Sequence, residues 1–221
     1  MNKPTIDLST YFGEAPAAII FDMDGTLIES TEADYIAWKK LFEEYGIDLT
    51  FEKYYPLLGK KSVDVISSQL KLNGEDVDYA LGKKLFYYKE YVKINGVPSV
   101  PLANELVEYC SGNFIIGLAT SLRMEKMNMM MEQQGLKKYF QAIVTGGEVH
   151  HGKPAPDIFL LAAEKLQVDP DKCLVFEDTI SGIRAAKNAG MKCIAISTTH
   201  KRDELTEADL VIDGYDEIIM I

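Results

Sequence analysis

Two carboxylate side chains, Asp22 and Asp24, stand one residue apart in FDMDGTL, directly after the apolar run AAII and before a glycine. Residues two apart on an extended chain face the same way, so both carboxylates can reach the same ligand. Carboxylates bind hard cations and exchange protons, but two of them at the end of a buried strand repel each other and are costly to desolvate. The pair therefore predicts a ligand or a cation that offsets this cost.

Three other apolar runs also end in side chains that can do chemistry. Thr120 and Ser121 follow FIIGLA, Lys153 lies in the loop GGEVHHGKPAPD after AIVT, and Glu177 and Asp178 follow CLVF. In an open parallel sheet, ligands bind beyond the carboxyl ends of the strands. The sequence therefore predicts one site that collects carboxylates, hydroxyls and an ammonium group at one edge of a sheet.

The apolar runs are spaced as the strands of a parallel sheet. Short β-rich runs alternate with helical stretches, which predicts parallel strands joined by right-handed helical crossovers. The runs are almost wholly apolar, as expected when both faces of a sheet are covered. We expect an α/β fold with a doubly wound parallel sheet and a Rossmann-like core. The predicted strands are residues 17–21, 114–120, 142–145, 173–178, 193–197 and 210–213.

A long helical insertion interrupts this alternation after the first strand. STEADYIAWKKLFEEYG places apolar residues at helical spacing, with Ser30 or Thr31 as the N-cap and Gly46 as the stop. INGVPSVPLAN, residues 94–104, has the glycine and prolines of a return linker. We expect a helical cap domain at residues 29–100, inserted into a catalytic core of residues 1–28 and 101–221.

The composition limits the partners of the chain. Its 221 residues include 23 basic and 34 acidic side chains, and the net charge of −11 repels nucleic acid and anionic membranes. No uncharged stretch approaches the roughly 20 apolar residues that cross a bilayer, and MNKPTIDLST lacks the apolar block of a secretory signal. We expect a cytoplasmic protein, acting as a monomer, with no nucleic-acid or membrane partner.

Four motifs together resemble those of the haloacid dehalogenase superfamily of phosphotransferases. They are DMDGT, the Thr120–Ser121 pair, GKPAPD and ED, in the order and spread over the core that the superfamily has. Each motif alone is weak, but the set is specific. The helical insert directly after the first motif resembles the subgroup that contains β-phosphoglucomutase, phosphoglycolate phosphatase and many sugar phosphatases.

The resemblance implies a role for each site residue. Asp22 is the expected nucleophile, which attacks phosphorus and forms an aspartyl phosphate. Asp24 is the expected general acid and then the base that activates water. Lys153 supplies a fixed positive charge, while Thr120 and Ser121 bind phosphoryl oxygens. The expected substrate is a small phosphorylated metabolite.

A metal ion is expected at the same site. Four ionised carboxylates would repel a phosphate dianion, so a cation is required, and oxygen ligands with few protein contacts favour Mg²⁺. The carboxylates of Asp22 and Asp178 and the main-chain carbonyl of Asp24 are the expected ligands. Glu177 is expected either behind these ligands or as an alternative ligand.

The insertion bears on the type of reaction. Gly59 and Lys60, with Lys61, lie in LLGKKSVDV and are expected to bind the anionic substrate. Family mutases carry a histidine four residues before the tryptophan of an AW pair, where this chain has Asp34, and an arginine where it has Ser62. These differences predict a phosphatase.

Two alternatives stay open from the sequence. The first is phosphoryl transfer of the β-phosphoglucomutase type. The second is a receiver-like signalling module, which also combines a phosphate-accepting aspartate, Mg²⁺, a hydroxyl and a lysine. A receiver is disfavoured because it lacks both the acid two residues after the aspartate and a cap.

Overall fold

The structure, a computed structural model, describes residues 6–58 and 62–220. The chain divides into two compact units, one made of the residues up to Glu29 with those from Pro98 onward, the other spanning Ser30–Val97. The first unit holds a parallel sheet flanked by helices, and the described part of the second is helical. No helix within the described ranges has the length and apolar character that crossing a membrane requires.

The sheet of the first unit has six strands in the described residues, in the order β3-β2-β1-β4-β5-β6, and every neighbouring pair is parallel. The strands are β1 (Ala18–Phe21), β2 (Ile115–Thr120), β3 (Ala142–Thr145), β4 (Cys173–Glu177), β5 (Lys192–Ile196) and β6 (Leu210–Ile212). Each lies within one or two residues of its predicted position, and the predicted doubly wound α/β fold is confirmed. The order reverses beside β1, between β2 and β4, which is where such sheets bind ligands.

Eight α-helices occur in the described residues. They are α1 (Thr31–Glu44), α2 (Phe51–Tyr54), α3 (Ser62–Val65), α4 (Glu75–Asn95), α5 (Ala103–Asn113), α6 (Met124–Gln134), α7 (Asp157–Leu166) and α8 (Ile180–Asn188). A π-helical turn spans Ile66–Leu70, and 3₁₀ turns span Tyr55–Leu57, Lys137–Tyr139, Pro170–Lys172, Arg202–Glu204 and Tyr215–Glu217.

The core of the α/β unit lies on the sheet around β1 and β4. All four residues of β1 and all five of β4 are buried, because helices cover both faces. The rings of Phe21 and Phe176, at the ends of these two strands, stack with centroids 5.1 Å apart. This packing fixes the carboxyl ends of the two strands that Asp22 and Asp178 follow.

The helical unit has a core of its own. Trp38, Leu41 and Phe42 on α1 are buried, as their spacing predicts. They join a cluster that includes Leu49, Tyr54, Val65, Ile66, Val77 and Ala80. Gly46 has φ +71°, the left-handed backbone expected at the predicted helix stop.

Candidate active site

The first loop of the site begins where β1 ends. The Asp22 N–H donates to the Phe176 carbonyl at 2.9 Å and so continues the pairing with β4. Gly25 then turns the chain with φ +76°, and its N–H donates to the Ile28 carbonyl at 2.8 Å. A Cβ at Gly25 would collide with the carboxylate of Asp178. Only glycine therefore combines this backbone with so close an approach of the two loops.

Lys153 joins the loops that follow β1 and β4. Its Nζ contacts Asp22 Oδ1 and lies 2.6 Å from Glu177 Oε1. The side chains of Lys153, Asp22 and Glu177 are only 7%, 9% and 1% exposed, so this is a desolvated ion cluster. The structure thus brings together three residues that the sequence predicts at one site. Two of them, Lys153 and Asp22, are 131 positions apart in the sequence.

Glu177 is held on all sides by donors. Its Oε1 accepts a hydrogen bond from Lys153 Nζ. Its Oε2 accepts hydrogen bonds from the main-chain N–H groups of Asp178 and Thr179 at 2.8 Å and from the Thr179 hydroxyl at 2.9 Å. On α8, Gly182 leaves the space that this carboxylate fills, because a Cβ there would collide with it. Glu177 therefore orients Lys153 and the loop after β4.

The third carboxylate, Asp178, has one oxygen with a donor and one without. Asp178 Oδ1 accepts the Thr26 hydroxyl at 3.0 Å, whereas Oδ2 is buried and forms no hydrogen bond of normal geometry among the described residues. The Thr199 hydroxyl lies near this carboxylate and opposes the rise in its pKa that burial causes. Oxygens of Asp22, Glu177 and Asp178 lie within 4.8 Å of one another. A buried carboxylate oxygen without a donor, in a cluster of hard oxygen atoms, fits a divalent cation such as Mg²⁺.

Burial and the neighbouring charges shift the pKa values of these groups. Burial raises the pKa of Asp22, the Lys153 ammonium opposes this rise, and the charges of Glu177 and Asp24 add to it. Burial, followed by the charges of Glu177 and Asp22, raises the pKa of Asp178 well above its ordinary value. Burial lowers the pKa of Lys153, but its two carboxylate neighbours outweigh burial and raise it, so the lysine stays charged. The site has more carboxylate than cation.

The predicted hydroxyls lie at the same edge of the sheet. Phe21 of β1 pairs with Leu118 of β2, so Thr120 stands at the end of β2 beside the start of the Asp22 loop. Thr120 is fully buried, and its hydroxyl accepts the Leu122 N–H at 3.1 Å. Ser121 follows it, exposed, with its carbonyl packed against Gly146 after β3.

The Asp24 side chain is half-buried, two residues beyond Asp22. Gly59 and Lys60, with Lys61, lie outside the described residues, and their predicted role in substrate binding stays a prediction.

The helical unit carries its own polar cluster. Lys84 on α4 places Nζ 2.9 Å from Asp34 Oδ1, 3.2 Å from the Ser62 hydroxyl and 4.0 Å from the centroid of the Trp38 ring. The Tyr54 hydroxyl donates to Asp34 Oδ2 at 3.2 Å. Lys84 thus contacts both positions at which the sequence departs from the mutase pattern.

Sequence reasoning missed several of these residues. Thr26 is the last residue of DMDGT and Thr179 directly follows ED, so their positions in and beside the motifs were an available signal. Thr198, after β5, donates its hydroxyl to the Gly25 carbonyl. Lys84 and Thr198 lie in no motif, and nothing in the sequence pattern distinguishes them from surface residues.

A cavity of about 450 Å³ lies away from this cluster. It is lined by residues 12–16, residues 171–174 and Lys192, at the amino ends of β1, β4 and β5. Because ligands of open parallel sheets bind beyond the carboxyl ends, the acidic cluster is the candidate active site.

An open parallel sheet with a buried cluster of carboxylates and lysine at its carboxyl edge defines an α/β enzyme. The chain belongs to the haloacid dehalogenase-like hydrolase family, whose model matches residues 19–196. The matched range contains all four predicted motifs, and the resemblance found in the sequence is confirmed.

Named relatives include both a phosphatase and a mutase. The chain is 32% identical over 184 residues to the fructose-1-phosphate phosphatase YqaB of Escherichia coli (strain K12), covering 83% of this chain and 97% of that protein. It is 30% identical over 204 residues to the beta-phosphoglucomutase of Bacillus subtilis (strain 168), covering 88% of each. Two other curated relatives are longer, and the chain spans 20% and 57% of their length.

Among solved structures, a HAD hydrolase of family IA, variant 3, from Entamoeba histolytica HM-1:IMSS is similar to this chain. The TM-score is 0.84 with 30% sequence identity, and the match covers 92% of this chain and 95% of that one.

Proposed function

We propose that the protein is a Mg²⁺-dependent phosphatase that hydrolyses a small phosphomonoester, a sugar phosphate or a similar metabolite, through an aspartyl phosphate on Asp22. The observation that carries this proposal is the buried cluster in which Asp22 contacts Lys153 and lies beside a carboxylate oxygen of Asp178 that no described residue satisfies. The similarity to a fructose-1-phosphate phosphatase supports the substrate class.

Asp22 is the nucleophile. Its carboxylate oxygen bonds to phosphorus while the bond from phosphorus to the leaving oxygen breaks, which divides a very slow hydrolysis into two easier displacements. Lys153 holds one Asp22 oxygen by a buried ion pair, so the carboxylate is fixed and its repulsion of an incoming phosphate is reduced. Water then attacks phosphorus, phosphate leaves, and the Asp22 carboxylate is restored.

Asp24 moves the proton in both steps. It protonates the leaving oxygen in the first displacement and takes a proton from the attacking water in the second, a contribution of typically about 10² to 10⁴ in rate. Its half-buried position, two residues beyond the nucleophile, suits a group that exchanges protons with substrate and water. Thr120 and Ser121 hydrogen-bond the phosphoryl oxygens from the end of β2.

The residues present fit Mg²⁺, with the carboxylates of Asp22 and Asp178 and the main-chain carbonyl of Asp24 as its ligands. When bound, the ion supplies positive charge to the phosphoryl oxygens and offsets the mutual repulsion of the carboxylates. We place Glu177 behind these ligands, because both of its oxygens already accept hydrogen bonds from Lys153 and the loop after β4.

The helical unit Ser30–Val97 is proposed as the cap, and its polar cluster favours hydrolysis over mutase chemistry. A mutase must protect its aspartyl phosphate from water until a second hydroxyl accepts the phosphoryl group. The carboxylate of Asp34, where family mutases have a histidine, is engaged by Lys84 and Tyr54. We therefore expect water to be an adequate acceptor. The similarity to a β-phosphoglucomutase keeps the mutase as the second candidate.

One pair of assays tests the proposal. Purified protein with Mg²⁺ is screened against a panel of sugar phosphates and other phosphomonoesters, and released phosphate is measured. Incubation with β-glucose 1-phosphate and a trace of the 1,6-bisphosphate then compares free phosphate with glucose 6-phosphate. Phosphate as the main product supports a phosphatase, and rapid accumulation of glucose 6-phosphate identifies a mutase. A single stable phosphorylation without turnover would point to a receiver-like switch.

A further inference from the structure

A chain of hydrogen bonds leads from the C-terminal part of the α/β unit to the acidic cluster. Tyr215, in the 3₁₀ turn after β6, is fully buried, and its hydroxyl donates to the main-chain carbonyl of Thr26 at 2.8 Å. The Thr26 hydroxyl in turn donates to Asp178 Oδ1 at 3.0 Å. Two hydrogen bonds therefore separate Tyr215 from the carboxylate proposed to bind Mg²⁺.

The Tyr215 ring is fixed against the strands that carry the site. Its centroid lies 6.0 Å from that of Phe176, with the rings 71° apart in an edge-to-face contact. Glu217, in the same turn, accepts the Asp213 N–H at 2.8 Å, which ties the turn to the end of β6. A ring held in this way can direct its hydroxyl at one carbonyl without a large loss of side-chain freedom.

The contact has a consequence for the two oxygens of Asp178. Because Tyr215 holds the Thr26 carbonyl and Thr198 holds the Gly25 carbonyl, the turn that carries the Thr26 hydroxyl is fixed from two loops. The Thr26 hydroxyl donates a hydrogen bond to Asp178 Oδ1, and Oδ2 forms no hydrogen bond of normal geometry among the described residues. One oxygen orients the carboxylate, and the other is left for a cation.

We propose that Tyr215 is a positioning residue for the metal site, acting through Thr26 on the orientation of Asp178. The inference rests on the proposed function, since it takes Asp178 as a ligand of Mg²⁺. Partners that orient a ligating side chain commonly change metal affinity by about 10- to 100-fold when removed, and Tyr215 acts one hydrogen bond further away. Its effect should be smaller than that of Thr26.

The test measures metal binding directly, by titrating the full chain with Mn²⁺ and following the free ion by electron paramagnetic resonance. Asp178→Asn defines the site and should abolish the binding. We expect Tyr215→Phe to raise the Mn²⁺ dissociation constant about three- to tenfold and Thr26→Val about tenfold or more. Thr26→Ser keeps the hydroxyl and should bind within about twofold of the wild type.

A matched control separates positioning from stability. Tyr109→Phe, on α5 of the same unit, removes the same hydroxyl from a half-buried tyrosine and should leave Mn²⁺ binding unchanged. A wild-type dissociation constant in Tyr215→Phe, whatever its unfolding temperature, would overturn the inference. If Tyr215→Phe does not fold, a wild-type dissociation constant in Thr26→Val would overturn it instead, because Tyr215 acts through Thr26.

The same titration keeps the inference apart from the proposed function. Weakened Mn²⁺ binding in Tyr215→Phe, together with no phosphatase turnover by the wild type, would refute the function and support the inference. Absence of any Mn²⁺ binding that depends on Asp178 would overturn both.

Discussion

Two aspartate–lysine pairs, one in each unit, differ in what surrounds them. Asp22 and Lys153 of the α/β unit are 9% and 7% exposed, Glu177 contacts the same ammonium, and an oxygen of Asp178 lies within 4.8 Å of oxygens of Asp22 and Glu177. Asp34 and Lys84 of the helical unit are 23% and 13% exposed, and a tyrosine hydroxyl and a tryptophan ring complete their surroundings. The first cluster has an excess of buried negative charge, whereas the second is a pair of opposite charges.

The difference distinguishes a site built for chemistry from one that joins helices. Buried carboxylates in excess of their cations are unfavourable unless a ligand or a metal completes them, so such a cluster indicates function. A partly exposed ion pair has a small net effect of about 0–1 kcal/mol and mainly fixes the packing of α1 on α4. Four predictions test this contrast, from the largest expected effect to the smallest.

Asp22→Asn should remove phosphate release almost wholly, by at least about 10³-fold, while leaving the protein folded because the change is nearly isosteric. Asp34→Asn makes the same chemical change in the helical unit and should still form the aspartyl phosphate and release phosphate. Phosphate release and circular dichroism of the two variants check this. Substantial turnover by Asp22→Asn would remove it as the nucleophile.

Chelation of metal should reduce phosphate release to background, and added Mg²⁺ should restore it. Ca²⁺ should inhibit, because its longer bonds and looser geometry misplace the phosphorus. Mg²⁺ should also raise the unfolding temperature of the wild type but not of Asp178→Asn, since Asp178 is a proposed ligand of the ion. Full activity in excess chelator would contradict the proposed role of Asp178.

The two lysines should differ in their contribution to stability. Lys153→Met leaves buried carboxylates without their ammonium partner and should lower the free energy of unfolding by about 3–5 kcal/mol at neutral pH. Lys84→Met removes a partly exposed pair but keeps an apolar stem against Trp38, and should lower it by about 0–1 kcal/mol. Urea unfolding measures both, and equal losses would erase the contrast between the clusters.

The last prediction concerns the stability of the protein when either of two helical glycines is replaced by alanine. Gly82 on α4 is exposed, and a Cβ there would meet no atom within 4 Å, so Gly82→Ala should stabilise the protein by up to about 1 kcal/mol through helix propensity. Gly182→Ala on α8 should destabilise it, because the new methyl displaces a Glu177 carboxylate held by several donors. Thermal unfolding of the two variants checks the opposite signs.

The sequence by itself determined the fold class and the polar residues at the carboxyl edge of the sheet. Almost wholly apolar runs alternating with helical stretches specify a parallel sheet, and parallel strands bring their carboxyl ends to one edge. That rule is enough to place Asp22, Lys153, Glu177 and Asp178 near one another before any coordinates are known. The structure bears this out for the described residues.

Only the tertiary structure decided which side chains support that edge. Tyr215 reaches Thr26 across 189 residues of chain, and Lys84 reaches Asp34 from another helix. Such pairings depend on how side chains pack between elements that are distant in sequence, and neither periodicity nor motif spacing encodes them. The different roles of Glu177 and Asp178 have the same origin. Both oxygens of Glu177 accept hydrogen bonds, whereas one oxygen of Asp178 forms none of normal geometry among the described residues. Adjacent carboxylates look alike in a sequence, and only their hydrogen-bond partners distinguish them.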